Sequence, residues 1–452
     1  MTIVSTLQGQ ASLPTEESTK SYWHTPPNEK LLGHRSTKDL PSTADVVVVG
    51  SGITGAFAAR ELVNGGKDVL LLEAREACWG ATGRNGGHCQ PLVYASHPHI
   101  ARFELDTYAF LLDLVTENSI PCDWETVGGV HSVPDAETLG LIKKHLARIQ
   151  RDFPDLADEA VIVTDRDELQ KLRVPDAFAA VYQKKAAKLW PYKLVAWVLE
   201  RLLESGRFNL QTKTPVESLQ REGGSWVLHT PRGDVSAKTV ILATNAYTSH
   251  LLPKFTGLLV PVRGQVCALK PPGESTALEH SHVWVGDGGD DYLVQRPSGE
   301  LILGGERLSV ADGQVGVSRD DTVDPTVGRR LREALHAALK LKAPDKTEDV
   351  RLDAAFEWTG IMGYSRDDNS WVGVVPAELG GGEGLYISAG YTGHGMPVAA
   401  RCGISVAEGI LGRKDGVQLP PEWKIDAGRA ARAQDVVLPT TLVEEIRALI
   451  VD

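Results

Sequence analysis

The chain has 452 residues, 42 % of them hydrophobic and 23 % charged, with a formal net charge of −12 at pH 7. That length carries a large core and room for two interleaved domains, and the acidic balance argues against nucleic acid or an anionic membrane as partner. No apolar run approaches the roughly 20 residues of a membrane span, and neither a secretory leader nor a peroxisomal address is seen, so the expectation is a soluble, cytoplasmic protein.

Five cysteines, Cys78, Cys89, Cys122, Cys267 and Cys402, are dispersed without a C-x-x-C pair. Such a set reads as reduced thiols, with no disulfide frame and no zinc site. The 13 histidines show no metal-ligand spacing, His97 and His99 being the nearest thing to one, and no metal is expected.

Residues 1–43 read as an N-terminal arm. Its first 20 residues are polar and predict a mobile segment. Ser21-Tyr22-Trp23, Pro26-Pro27 and Leu31-Leu32 then predict an extended stretch that pins aromatics onto a body.

Residues 46–49 are a β-branched run, the signature of a strand buried on both faces of a parallel sheet. They lead into Gly50-Ser51-Gly52-Ile53-Thr54-Gly55, a G-x-G-x-x-G, and then into an apolar-periodic helix ended by Gly65-Gly66. A second buried strand, 69–72, ends in Glu73, followed by Ala74 and Arg75. In strand–loop–helix context with an acid at the second strand tip, this pattern predicts a dinucleotide site. Gly50 permits the tight turn, Gly52 the approach of a pyrophosphate, and Gly55 close helix–strand packing. The helix N-terminus faces the phosphates. Glu73 accepts from a ribose diol and disfavours a 2′-phosphate, which leaves NAD and FAD open at this point.

Next comes a second glycine-rich block, Gly80-Ala81-Thr82-Gly83-Arg84-Asn85-Gly86-Gly87-His88. Four glycines in eight residues, with an arginine and an asparagine among them, can wrap a planar hydrogen-bonding ligand and place a cation near phosphate.

Helices are predicted over 100–120, 136–152, 194–203 and 324–342, the second with its apolar stripe on Leu139, Ile142, Leu146 and Ile149. Strands are predicted in 121–135 and over 210–217, which contains Val216. A hairpin pairs 225–229 with 234–237. A further buried strand, 239–242, runs into Ala243-Thr244-Asn245 and returns to the cofactor sheet. Residues 258–262, 266–269, 292–295 and 301–303 alternate as an antiparallel sheet does. Residues 358–363, with Trp358, Gly360, Met362 and Gly363, lead to strand 371–375. Strand 385–388 then enters Gly390-Tyr391-Thr392-Gly393-His394-Gly395-Met396, a glycine-rich turn before a helix over 397–411. The last 35 or so residues form a tail or outer helix.

Three blocks carry a family resemblance: the G-S-G-I-T-G unit with Glu73, A-T-G-R-N-G-G, and A-G-Y-T-G-H-G-M. Together they resemble the FAD-dependent D-amino-acid oxidase (DAO) superfamily over about residues 21–415. S-Y-W, P-V-R-G-Q and W-T-G-I-M-G-Y are similar to the gamma-glutamylputrescine oxidase-like branch, beside glycine and sarcosine oxidases. The implied fold class is α/β, α+β overall: a Rossmann-like FAD domain with a central parallel sheet, and a substrate domain with an antiparallel sheet and flanking helices. The implied boundaries are 44–125, 190–260 and 350–415 for the FAD domain, 126–189 and 261–349 for the substrate domain, and 416–452 for the tail.

The resemblance implies FAD as cofactor and a reaction in which a C–H beside an amine nitrogen passes a hydride to flavin N5. The imine hydrolyses, and O2 reoxidises the flavin to give H2O2. The chemistry is the cofactor's, so no obligatory acid–base dyad is expected. A helix N-terminus after the 390–396 turn is aimed at the flavin N1/O2 locus.

Three departures sharpen this. Amino-acid-oxidising relatives carry an arginine for the substrate carboxylate where Met362 stands here, which favours an amine lacking that carboxylate; Arg263, Arg296 and Arg307 are the possible substitutes. Sarcosine-oxidase-like relatives attach the flavin through a cysteine where Gly360 stands, so FAD is expected noncovalent, with Cys89 beside His88 as the alternative. Ile302 occupies the place of their oxygen-activating lysine, which leaves a dehydrogenase open. Trp358, Tyr292, Arg296, Tyr391 and His394 join Met362 as pocket candidates. Competing readings are an amino-acid dehydrogenase, a secondary-metabolite-tailoring flavoenzyme, and a non-enzymatic flavin-binding protein. A flavin hydroxylase usually brings a G-D segment where Ala389-Gly390-Tyr391 stands.

Overall fold

The computed structural model describes residues 9–286, 289–436, 444 and 447. The first eight residues of the predicted mobile segment, and most of the tail beyond 436, lie outside the described residues.

Two eight-stranded sheets carry the architecture. At the centre of the first, Thr43–Val49 lies parallel to Val69–Leu72 on one side and to Gly233–Leu242 on the other, with Phe208–Gln211 beyond Val69–Leu72. Strand Gly233–Leu242 serves two neighbours on its far side. Its first half pairs antiparallel with Ser225–Thr230, and its last three residues pair parallel with Leu385–Ala389. Continuous burial on both faces explains the Val/Leu runs at 46–49 and 69–72, which show no alternation.

Helix Ile53–Asn64 leaves the first strand and packs beside Ala399–Ile410. Close approach needs Gly403, whose added Cβ would stand 2.3 Å from the Thr54 carbonyl oxygen. Phe57, Leu62, Leu199 and Ala407 fill the layer between these helices and the sheet.

The second sheet runs Ala354–Ser365, Leu259–Leu269, Leu301–Gly305, Gly289–Gln295, Ser281–Gly286, Gly129–Val133, Ala179–Gln183, Ala160–Val163. Every pairing is antiparallel except Ser281–Gly286 with Gly129–Val133. Its core packs against helix Pro325–Ala338 through Val327, Leu331 and Leu335. Strand Ala354–Ser365 falls within the segment 350–415 yet pairs along its length with Leu259–Leu269.

Several elements differ from expectation. The predicted strand 210–217 stops at Gln211, because Lys213 adopts a φ of 50° and the chain turns away from the sheet. The separate runs 234–237 and 239–242 are one strand, and 258–262 and 266–269 are likewise one, since Arg263, Gly264 and Gln265 keep the extended ladder. Strands Ser218–Glu222 and Ser281–Gly286 were not anticipated; the first is an edge strand that is largely exposed and lacks an apolar face. The helix predicted over 324–342 is Pro325–Ala338, capped by Asp324. Residues 9–20 are not loose: Ala11 is buried and Thr19 is bonded into the body. Of the tail, a short helix Ala427–Ala433 is anchored by Arg429 on Asp367.

Among the described residues no helix is long and apolar enough to cross a membrane, and no group of three or more His, Cys, Asp and Glu could hold a metal ion.

Candidate active site

The fingerprint glycines act through close approach. An added Cβ on Gly55 would stand 1.9 Å from the Gly50 carbonyl oxygen, and Gly50 itself has a φ of 103° against the Ala243 carbonyl. The helix that follows has Gly52 as N-cap with no side-chain cap, so its positive end keeps unpartnered donors. Ile53 N–H donates to Thr82 Oγ1 at 3.1 Å, tying the second glycine-rich block to the first.

Glu73 is buried at the tip of its strand. Its Oε2 accepts from Ser51 N–H at 3.0 Å and Ser51 O–H at 2.6 Å, and its Oε1 accepts from Arg75 N–H at 2.9 Å. A carboxylate has about four acceptor positions, so capacity remains for a hydroxyl.

Block 80–88 is held from outside. Ser21 donates to the Gly83 carbonyl (2.8 Å), Trp23 Nε1 to the Asn85 carbonyl (2.6 Å) and Trp358 Nε1 to the Arg84 carbonyl (2.8 Å). A Cβ at 83 would run into the Cys78 carbonyl oxygen and the His24 ring, and those at 86 and 87 into Tyr292 and Trp23, whereas Gly80 faces open space.

Arg84 is 2 % exposed. Its Nε donates to the Thr359 carbonyl at 2.7 Å and lies 3.2 Å from Asp320 Oδ2. Its Nη2 donates to the carbonyl and hydroxyl oxygens of Thr19, and its Nη1 has no partner. Burial, with Arg75 close by, brings its pKa down to about 10. The Arg75 guanidinium is spoken for: it grips both oxygens of Asp320 (2.9 and 3.0 Å) and the Trp79 carbonyl.

One cavity of about 430 Å³ joins these parts. Gly50, Ser51, Gly52, Ile53, Thr54, Glu73, Ala74, Val216, Ala243, Thr244 and Asn245 line it on the side of the first sheet, with Arg75, Gly80, Ala81, Thr82 and Arg84. Asn85, Gly86, His88, Tyr292, Gly360, Met362, Gly363, Tyr391, Thr392, Gly393, His394, Gly395 and Met396 also line it. Five expected residues do not. Gly55 and Gly390 sit behind the wall as packing positions, Gly87 is covered by Trp23, and Trp358 is a buried support for Arg84. Arg296 is the clearest correction. Its guanidinium lies between Trp23 and Trp190, 5.2 and 5.4 Å from the rings, and pairs with Asp123 Oδ2 at 2.7 Å. Of the substitute arginines, Arg263 is bonded to Gln314 and Thr322 away from the wall, while Arg307 lines the cavity with its charge over the Tyr364 ring.

At the end walled by the second sheet, histidines and tyrosines gather. His88 is held down at about pKa 4, chiefly by burial, and its Nε2 makes no hydrogen bond. His131, down at about 3, bonds Tyr94 and Gln90. His394 Nε2 stands 3.4 Å from Glu104 Oε2 without making a hydrogen bond. Tyr391 spans the two glycine-rich units, its hydroxyl 2.9 Å from both Thr54 and Ser388. Burial pushes the Tyr292 phenol up. None of the five cysteines lines the cavity; all are buried and unpaired.

Asp320, Gln90, His131, Gln265 and Tyr247 belong to the site or its support and were not anticipated. Gln90 lies two residues past the second block and could have been found; Asp320 sits in a polar stretch with no local signature.

An uncapped helix end, a buried acid with spare acceptor capacity, an open Gly80 and an arginine with an unpartnered nitrogen fit an anionic, diol-bearing dinucleotide. The comparisons agree. Residues 45–408 match the DAO family, described as FAD dependent oxidoreductase. The chain is 26 % identical to the gamma-glutamylputrescine oxidoreductase of Escherichia coli, covering 92 % of this chain and 95 % of that protein. It is 25 % identical to a probable oxidoreductase, OrdL, of Rhizobium meliloti, over 85 % and 87 % of the two chains. The crystal structure of glycine oxidase from Geobacillus kaustophilus shares the fold, with a TM-score of 0.69 at 20 % identity over 86 % of this chain and 99 % of that one. The chain belongs to the DAO family of FAD-dependent oxidoreductases.

Proposed function

We propose that the protein oxidises a C–N bond of an amine or amino-acid derivative that lacks a gripped α-carboxylate. The observation that carries this reading is the single cavity that joins the dinucleotide loop to a wall of Met362, Tyr292 and Tyr364. Bound FAD would supply hydride acceptance at N5 from the C–H beside the substrate nitrogen, and return of the electrons to O2 as H2O2.

The chain's own residues bind, orient and exclude water. The N–H groups of the first turn that follow Ile53 hold phosphate, Glu73 accepts from a ribose hydroxyl, and Arg84 balances negative charge. Met362, Leu92 and Tyr364 keep water from the reacting carbon, which strengthens every polar contact beside it. His88, neutral at ordinary pH, offers Nε2 to a polar group of the substrate. The imine product hydrolyses in water to a carbonyl compound and an amine.

Segments 44–125, 190–260 and 350–415 form the FAD part, and 126–189 and 261–349 the substrate part, except that strands Leu259–Leu269 and Ala354–Ser365 run whole in the second sheet. FAD is held noncovalently, which the absence of any cysteine from the described cavity wall supports. Five buried, unpaired thiols suit a reducing cytoplasm. Arg307 on the wall, and the lack of a lysine among the described lining residues, favour a second reading, an amino-acid dehydrogenase.

Anaerobic titration of the yellow protein with a panel of amines and amino acids tests the proposal. Bleaching by an amine, followed by peroxide on admitting air, is expected. D-amino acids acting best would overturn the role given to Met362. Failure of the whole panel where dithionite succeeds would overturn the activity, and colour left in an acid-precipitated pellet would overturn noncovalent attachment.

A further inference from the structure

Residues 9–20 form no helix or strand, yet they are fastened along their length to the body. Gln10 Nε2 donates to the Ser249 carbonyl and Ala11 N–H to Ser249 Oγ, both at 2.9 Å. Ser12 N–H donates to Ser318 Oγ at 3.2 Å, and Thr15 Oγ1 to Asp320 Oδ1 at 2.8 Å. Thr19 N–H donates to the Asp320 carbonyl at 2.8 Å, and Thr359 N–H to Thr19 Oγ1 at 2.9 Å. Between these fasteners Leu13 and Pro14 form part of the cavity wall.

The segment also completes a charge arrangement. Two buried guanidiniums, Arg75 and Arg84, share one buried carboxylate, Asp320. Arg75 takes both carboxylate oxygens, and Arg84 has only Nε near one of them. Arg84 Nη2 is satisfied by Thr19 alone, and its Nη1 stays unpartnered beside the cavity. Loosening the segment would strip a wall from the cavity and two acceptors from a buried cation in one event.

We propose that residues 10–19 are a strap that completes the FAD site, Leu13 and Pro14 as wall and Thr19 as the fastener of Arg84, and that it sets how fast bound FAD leaves. This needs only FAD, and it stands whether or not the substrate is an amine.

The test uses full-length holoprotein. Thr19→Val removes the hydroxyl and keeps the carbonyl; Leu13→Gly removes wall and leaves the fasteners. After dilution, the rise of free-FAD fluorescence is expected to be about tenfold faster in each than in the wild type. Val350→Ala, at an exposed position outside the wall, should release at the wild-type rate. Unchanged release in both strap variants, or equal acceleration by Val350→Ala, overturns the proposal.

Wall contact by Leu13 and Pro14 also adds to FAD affinity, so by linkage bound FAD holds the strap in turn, which supplies a second measurement on the unmodified chain. Tryptic cutting after Lys20, at the strap's end, should slow several-fold when FAD is added to stripped protein, and by more than cutting after Lys346. Equal protection at the two sites overturns the strap.

Discussion

The two ends of the cavity are built by different means. At the fingerprint end the chain works with its backbone: Gly50, Gly52 and Gly55 shape a turn, Ser51 and Arg75 offer N–H groups to Glu73, and a helix end stands uncapped. The residues that do this lie within about 25 positions of one another. At the far end the work falls to side chains from distant segments, with Tyr292 over Gly86, His88 edge-on to Tyr292 and Met362 against Gly264. Backbone recognition tolerates little change of residue; side-chain recognition can be retuned one position at a time. A family that keeps one cofactor and varies its substrate needs both kinds of end.

The difference can be broken most severely at Gly55. Gly55→Val forces a branched side chain into the Gly50 carbonyl, and no FAD-bound protein should be recovered, as absorbance of the purified chain would report. Next comes Asp320→Ala, which leaves Arg75 and Arg84 buried without their counter-charge. It should cost roughly 3–5 kcal/mol in denaturant unfolding, with Asp320→Asn milder.

Acid should discriminate between the ends. His88 is lowered to about 4, and His131 and His282 to about 3, chiefly by burial. The unfolded chain takes up these protons near pH 6.5 and the folded chain does not, so stability falls as pH drops from about 6.5 towards 4. The limit is about 1.4 kcal/mol per pH unit for each histidine. These three belong to the far end, whereas His24, also lowered to about 3, stands alone against Gly83; with three such groups against one, hydrogen exchange at pH 5 should rise in strands Gly129–Val133 and Ser281–Gly286 before it rises in Thr43–Val49. A uniform rise would count against this division. The smallest effect belongs to Met362→Leu, which keeps volume. It should alter stability by under about 1.5 kcal/mol and leave FAD content intact, while the rate of anaerobic flavin reduction by amine shifts.

What could be read from the sequence follows the same line. Strand, turn, helix and Glu73 were legible because each constraint acts within a few residues. Helix 136–152 was legible from its stripe, and Asp135 caps it as such a pattern wants. Asp320 was not, because it acts on Arg75 and Arg84 from about 240 positions away. Arg296 was a pocket candidate as a possible substitute for the missing carboxylate-gripping arginine; two tryptophans from other segments claim it instead. The glycines of block 80–87 were legible as a constraint but not in kind, since three of the four make room for aromatic rings of the protein.

Strand Gly233–Leu242 touches Thr43–Val49 on one side and Leu385–Ala389 on the other, and helix Ala399–Ile410 closes against Ile53–Asn64. On a ribosome the fingerprint therefore emerges long before its partners. For most of synthesis the first strand and helix wait with an apolar flank uncovered, and Gly55 has nothing to bind for. Contacts this remote in sequence make assembly slow and expose the waiting segment to aggregation. FAD can be held only once residues 385–410 have emerged, so its supply at that point should govern how much of the chain reaches its native form.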